Sequence, residues 1–225
     1  MSGKTYSRSR ARKRLLILDD HPMMREGLAQ LINHEADLTV CGQAGTAREV
    51  LDLIPKLKPD LLLADISLPD KNGLEVMKDT QALNPGLAVL VISMHDESLY
   101  AERVLRAGGR GYIMKQEGGK KLMDAIRQVL NGKIYLSERM SAKLLESFSG
   151  RREQASRLPM ENLSDREFEV LQLLGEGKTT REVAGQLHLS AKTVEAHRAN
   201  IKRKLSLKTA SELVRHAVRW VETQK

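Results

Sequence analysis

The chain has 225 residues, a formal charge of +8, 41% hydrophobic and 3% aromatic residues; that is long enough for two domains of ordinary size, with cores built mainly from Leu, Val, Ile, Ala and Met. Its one cysteine, Cys41, excludes an intrachain disulfide and fits a reducing, cytoplasmic setting. No apolar run approaches the ~18–20 residues of a spanning helix, and the basic start leads only into Leu15-Leu16-Ile17-Leu18 before two aspartates, so a signal peptide and a membrane span are both excluded and no membrane partner is expected.

In chain order, residues 1–14 carry Lys4, Arg8, Arg10, Arg12, Lys13 and Arg14 with almost no apolar content, and read as a basic disordered arm. A solvated tail is the plainer role; clinging to DNA is the other. From residue 15 to about 131, short apolar runs alternate with segments of helical period, the pattern of an α/β doubly wound parallel sheet. Five strands are predicted, at 15–18, 38–44, 61–64, 88–92 and 111–114, with helices between them. The first helix starts at Pro22, and the last runs from about 120 to 130 until Asn131-Gly132 stops it. A domain over 15–135 is followed by a helix and linker over 136–162; periodicity is lost across 147–162, where Ser, Gly, Arg, Glu and Pro159 gather.

Residues 163–225 form a second, all-α domain. Ser164 and Glu167 make an S-x-x-E capping box for a helix closed by Gly177, Thr179 and Glu182 repeat the box, and Ser190 caps a third helix. Charge separates these units: residues 1–14 carry +6, 15–150 carry −3 and 151–225 carry +5. The basic C-terminal unit suits a polyanion.

Polar residues gather at the C-terminal ends of the predicted strands: Asp19-Asp20, Asp65, Ser93 and Lys115. In a sheet of order 2-1-3-4-5 these side chains converge beside the switch point between strands one and three, where ligands sit in open α/β sheets. Three carboxylates in one crevice repel one another and call for a compensating hard cation, with Mg²⁺ the natural choice beside a phosphate. Asp65 is then placed to attack a phosphoryl group, Lys115 to neutralise the transferring oxygens, and Ser93 to bond one of them.

At these residues a family resemblance emerges. Leu18-Asp19-Asp20-His21-Pro22, Asp65-Ile66-Ser67-Leu68-Pro69, Ser93 and Gly111-Tyr112-Ile113-Met114-Lys115 resemble the receiver domain of bacterial response regulators over about residues 15–131. The resemblance implies Asp65 as phosphoacceptor, Asp20 as principal Mg²⁺ ligand with Asp19 beside it, and the carbonyl of Ser67 as a further ligand. It implies Ser93 and Tyr112 as a switch pair and a sensor histidine kinase as donor. His21 is expected to be exposed rather than a ligand, and Cys41 to pack as a small hydrophobe. Receivers usually carry a cis bond after the lysine, and here Gln116 stands where many have proline, so a cis Lys115–Gln116 bond would cost ~2.5–4 kcal/mol.

The motifs Leu163-Ser164-Asp165-Arg166-Glu167, Gly175-Glu176-Gly177-Lys178, Glu182-Val183-Ala184, Ser190 through His197, and Lys204-Leu205 resemble the LuxR-type helix-turn-helix. Joined to a receiver, they place the chain in the NarL/FixJ class. A recognition helix over about 191–205 turns Val194, Ile201 and Leu205 toward the core and leaves Lys192, Ala196, Ala199 and Arg203 opposite. Lys192, Glu195, Ala196 and Ala199 are candidates for base edges; Lys178, Thr193, His197, Arg198, Lys202 and Arg203 suit phosphates of double-stranded DNA. The last helix, about 210–221, presents Leu213, Val214, Ala217, Val218, Trp220 and Val221, for packing within the domain or for a homodimer in the active state.

The expected function is that of a two-component response regulator, a DNA-binding protein rather than an enzyme, whose phosphorylation at Asp65 shifts a two-state receiver. A constitutive DNA-binding regulator with a silent receiver is the alternative. An aspartyl-phosphate phosphatase is disfavoured because Ser67 stands where that chemistry needs a second acid.

Overall fold

The computed structural model describes residues 11–148 and 162–223. Most of the expected arm and most of the expected linker lie outside the described residues. The N-terminal unit runs β1 (Lys13–Leu18), α1 (Pro22–His34), β2 (Leu38–Ala44), α2 (Ala47–Leu57), β3 (Leu61–Ala64), α3 (Gly73–Leu83), β4 (Ala88–Ser93), α4 (Glu97–Arg106), β5 (Gly111–Met114) and α5 (Gly119–Leu130). All strand pairings are parallel, in the order β2-β1-β3-β4-β5, as the sequence predicts. Strand β1 starts two residues early, inside the expected arm: the Lys13 amide donates to the Asp37 carbonyl (2.8 Å), and Asp60 takes up both the Lys13 ammonium and the Arg14 amide at 2.8 Å. Charged side chains at the amino end of a strand carry no apolar signal, although their backbone still pairs.

Alternate residues of the central strands enter two cores. Leu15, Ile17, Leu61, Leu63, Leu90, Ile92 and Ile113 pack with Leu28 and Ile32 of α1 and with Leu122, Ile126 and Val129 of α5. On the other face Leu16, Leu18, Leu62, Val89, Val91 and Tyr112 pack with Val50 and Ile54 of α2, Leu74 and Met77 of α3, and Tyr100 and Val104 of α4. Each fully buried Leu or Ile stabilises the fold by roughly 1.5–3 kcal/mol, so the strand ends are held on both sides.

After α6 (Glu138–Phe148) the C-terminal unit contains α7 (Asp165–Gly175), α8 (Thr180–Gln186), α9 (Ala191–Lys204) and α10 (Ala210–Glu222). Both predicted capping boxes form. Gly177 adopts φ +84°, with its amide and that of Lys178 returning to the carbonyls of Leu174 and Leu173, the backbone reversal that ends a helix at glycine. Helices α7 and α10 cross so tightly that a Cβ on Gly175 would lie 2.5 Å from the Ala217 carbonyl oxygen.

Phe168, Glu169, Val170, Leu171 and Gln172 are consecutive and all buried. A helix of a four-helix unit cannot bury every face by itself; the receiver-side helices α3 and α4 cover the outer face of α7. Tyr100 meets Phe168 edge to face (5.3 Å between ring centroids), Arg103 lies 4.0 Å over the same ring, and Asp165 is held by Lys78 (2.7 Å) and Arg103 (3.0 Å). The second sheet core therefore continues into the helical unit as one hydrophobic cluster.

Candidate functional site

The carboxyl ends of β1, β3, β4 and β5 meet at one crevice. Asp19 and Asp65 follow directly on apolar strands, and both are buried, as is Ser93. Lys115 reaches across from the end of β5, its Nζ 2.6 Å from Asp65 Oδ2 and 2.6 Å from Asp19 Oδ2. The loop after β3 is pinned from below. Gly73 opens α3 so close to it that a Cβ would sit 2.5 Å from the Ile66 Cα and 2.7 Å from the Asp65 carbonyl oxygen, leaving room for glycine alone. The Ser67 amide donates to Asp65 Oδ1 (3.2 Å). Across the crevice, Arg25 on α1 donates to the Asp19 carbonyl (2.5 Å), and the His21 amide donates to Asp19 Oδ1 (2.8 Å).

Burial pushes the Asp65 carboxyl above the usual carboxylate range, and neighbouring Asp19 adds to this while Lys115 opposes it. Burial also works against the Lys115 ammonium, but Asp65 and Asp19 overcome it and hold that pKa above the ordinary lysine value. Three carboxylates thus face one retained ammonium. Ligand atoms of Asp19, Asp20, His21 and Asp65 lie within 4.8 Å of one another; this oxygen-rich, net-negative set fits a hard divalent cation. His21 itself is 70% exposed at its side chain, with Nδ1 2.7 Å from Asp20 Oδ1.

Among the described residues no peptide bond is cis. The Lys115–Gln116 bond is therefore trans while Lys115 still contacts Asp65, and the strain expected from a cis bond there is absent. Ser93 Oγ accepts from the His95 amide (3.2 Å). Tyr112 is buried beside it, its hydroxyl donating to the His95 carbonyl (2.8 Å). Burial raises the Tyr112 hydroxyl far above its usual pKa, so it remains a donor.

In the helical unit, Val194 and Ile201 are fully buried and Leu205 packs against the same core, as the predicted stripe requires. Lys192, Glu195, Ala196, Ala199 and Arg203 are exposed on the opposite face of α9. Thr193, His197, Lys202 and, before α8, Lys178 are half-buried. Arg198 is drawn inward: its guanidinium bonds Thr180 Oγ1 (2.5 Å) and Glu195 Oε1 (2.9 Å), and Thr180 also donates to Glu195 (2.8 Å). This bridge braces α9 against α8, so Arg198 and Glu195 enter any interface already oriented.

In α10, Leu213, Ala217 and Val221 pack inward and Trp220 meets Phe168 edge to face at 5.1 Å, whereas Val214 is exposed. The apolar stripe is thus largely used within the domain. His95 and Gln172 carry contacts that the sequence reading missed. His95 stands two residues beyond Ser93, a place where the strand-end pattern points, but Gln172 shows its partner only in three dimensions.

The family model of the response regulator receiver domain matches residues 15–127, and that of the luxR family of bacterial regulatory proteins matches residues 161–217. The chain is 33% identical over 210 residues to the oxygen regulatory protein NreC of Staphylococcus carnosus (strain TM300), covering 92% of this chain and 97% of that protein. It is 34% identical over 210 residues to NreC of Staphylococcus aureus (strain JH9), with the same coverage. RcsB from Salmonella enterica serovar Typhimurium, solved bound to promoter rprA in the presence of phosphomimetic BeF3-, superposes with a TM-score of 0.60 at 25% identity over 92% of this chain and 98% of that one. A two-component response regulator of the LuxR family from Aurantimonas sp. SI85-9A1 gives a TM-score of 0.58 at 28% identity over 62% of this chain and 99% of that one. With a doubly wound receiver, an acidic crevice at its carboxyl edge and a helix-turn-helix unit behind it, the chain belongs to the two-component response regulators of the NarL/FixJ class, DNA-binding regulators of transcription.

Proposed function

We propose that Asp65 is the phosphoacceptor and that its phosphorylation by a sensor histidine kinase sets how the C-terminal unit engages double-stranded DNA. An Asp65 carboxylate oxygen attacks phosphorus, a phosphorus–oxygen aspartyl bond forms, and the donor's bond to phosphorus breaks with the electron pair leaving on the donor. Lys115 holds a positive charge beside the transferring oxygens, and Ser93 Oγ is placed to donate to one of them. Asp19, Asp20, Asp65 and the carbonyl of Ser67 would hold Mg²⁺, which when bound supplies the charge neutralisation that one ammonium cannot. Ser93 and Tyr112 form the switch pair, already joined through His95, whose amide and carbonyl they share.

The observation that carries this reading is the Lys115 ammonium 2.6 Å from both Asp65 and Asp19 at the sheet's carboxyl edge. A structural ion pair would need one carboxylate; a third acid, Asp20, in the same cluster is costly unless a cation and a phosphate are to be accommodated. On DNA, Lys192, Glu195, Ala196 and Ala199 read base edges, while Lys178, Thr193, His197, Arg198, Lys202 and Arg203 face phosphates. The active form is a homodimer on paired half-sites; a solved RcsB assembly is described as two RcsB dimers bound to two parallel DNAs.

The test is a gel-shift titration of wild type and Asp65→Ala with and without acetyl phosphate and Mg²⁺, alongside a direct assay for the acyl phosphate. The donor should raise operator affinity of the wild type and leave Asp65→Ala unchanged. Equal affinity with and without a confirmed acyl phosphate would favour a silent receiver.

A further inference from the structure

His95 occupies a singular place between the two units. Its Nε2 lies 3.1 Å from Ser67 Oγ on the loop that follows Asp65, and its Nδ1 lies 3.4 Å from Gln172 Nε2 on α7. Its amide and carbonyl engage Ser93 and Tyr112, and its ring lies 5.0 Å from that of Tyr100, the tyrosine that touches Phe168. One residue therefore contacts the loop beside the candidate phosphoacceptor, both members of the candidate switch pair and the DNA-binding unit.

We propose that His95 is the positioning residue through which the state of Asp65 reaches the DNA-binding unit, its ring fastening α7 to the receiver through Gln172 while Ser67 fixes the ring from the other side. This rests on Asp65 being the phosphoacceptor. The two ring contacts define one tautomer. Gln172 Nε2 donates to Nδ1, so Nε2 carries the hydrogen and donates to Ser67 Oγ. Gln172 is 2% exposed and also donates to Glu176 Oε1 (2.8 Å), so its amide is oriented before His95 engages it.

A phosphoryl group on Asp65 disturbs both ends of this arrangement. The Ser67 amide now donates to Asp65 Oδ1, an oxygen whose charge and position change once Asp65 carries the phosphoryl group of an acyl phosphate. Ser93 Oγ now accepts from the His95 amide, and turning to donate to a phosphoryl oxygen breaks that bond. Losing either anchor shifts the imidazole. At 3.4 Å the Gln172 contact is at the long end of hydrogen-bond range and fails first. What this frees is not the recognition surface of α9, already exposed, but α7 and the end of α10: Val221 and Gln172 line a cavity of about 290 Å³ with Met94, His95 and Leu99 of the receiver. Release of that contact lets two C-terminal units pair on adjacent half-sites.

The test uses the full chain carrying His95→Ala, His95→Gln or Gln172→Ala, with acetyl phosphate and Mg²⁺. Acyl phosphate, operator affinity with and without donor, and acrylamide quenching of Trp220, the sole tryptophan, are measured together. Gln172→Ala should form acyl phosphate to the wild-type extent, and His95→Ala is compared with wild type at equal acyl phosphate content. Their donor-free operator affinity should rise about five-fold, as expected for losing one hydrogen bond across the contact, and their donor-free quenching should match phosphorylated wild type. His95→Gln, whose amide keeps one acceptor and one donor, should restore part of the donor response. If acyl phosphate forms and Gln172→Ala and His95→Ala both keep the wild-type affinity ratio and quenching, the His95 inference is wrong while the phosphoacceptor reading stands. If His95→Ala does not fold, Gln172→Ala decides alone. If no variant, wild type included, forms acyl phosphate, both fall.

Discussion

The receiver crevice and the exposed face of α9 use polar residues in opposite ways. At the crevice, Asp19, Asp65 and Ser93 are buried and held by the Lys115 ammonium and the amides of His21, Ser67 and His95, so the groups are fixed before any phosphoryl donor arrives. On α9, Lys192, Ala196, Ala199 and Arg203 stand in solvent, while the Arg198–Glu195–Thr180 bridge is set in advance. Chemistry on one small group rewards rigid placement, because misplaced charge is not stabilising in the transition state. Reading a long, deformable polymer instead rewards side chains that can adjust.

The sharpest way to break this contrast is to remove Lys115. Lys115→Ala leaves Asp19 and Asp65 buried without their ammonium, and phosphorylation by acetyl phosphate should slow by ~10²–10³-fold, the usual cost of losing one preorganised stabilising group; quench-flow or gel assays of acyl phosphate would show it. A loss of only two-fold would mean that the crevice is less preorganised than its distances imply. Next in size is Gly73→Ala, whose Cβ would press on the Ile66 backbone at 2.5 Å. Overpacking against main chain should cost ~1–3 kcal/mol in urea unfolding, seen as a lower midpoint at unchanged slope.

Lys192→Ala probes the other side. Loss of a base-edge contact costs ~1–3 kcal/mol on the operator and much less on unrelated DNA; equal losses on both would move Lys192 to the phosphate backbone. The smallest effect concerns pH. Burial opposes ionisation of Glu167, but Lys204 (2.6 Å) and the Ser164 amide and hydroxyl hold its pKa below the usual glutamate value. Because the folded value is the lower one, this stabilisation is complete above the unfolded pKa of about 4.5 and disappears as pH falls through the folded value. Thermal melts should lose this increment below about pH 4.5 in wild type, whereas Glu167→Gln should not show that part of the slope.

The sheet was readable because its central strands are apolar on both faces, and the crevice because Asp19, Asp65 and Lys115 follow such strands directly, with Asp20 one residue further on and Ser93 closing β4. The capping boxes at Ser164 and Thr179 were equally plain, since each pairs residues three apart. Contacts made by polar residues far apart in the chain were not readable. Lys13 reads as tail until Asp60 is beside it. Arg198 reads as a phosphate candidate, with nothing in the sequence to show that Thr180 and Glu195 already orient it. Asp165, Glu169 and Gln172 look like a solvated helix face, because their partners come from the receiver: Lys78 on α3 and Arg103 on α4 for Asp165, and His95 just before α4 for Gln172, some 60 to 90 residues earlier in the chain.

The continuous cluster running from Leu16 through Tyr100 to Phe168, Leu171 and Leu213 has a thermodynamic consequence. Two units sharing one apolar interior cannot lose it piecemeal, so the resting protein should denature in a single cooperative transition. Severed from the receiver, the helical unit would bare Phe168 and the buried flank of α7 to water, so the fragment should self-associate more readily than the whole chain.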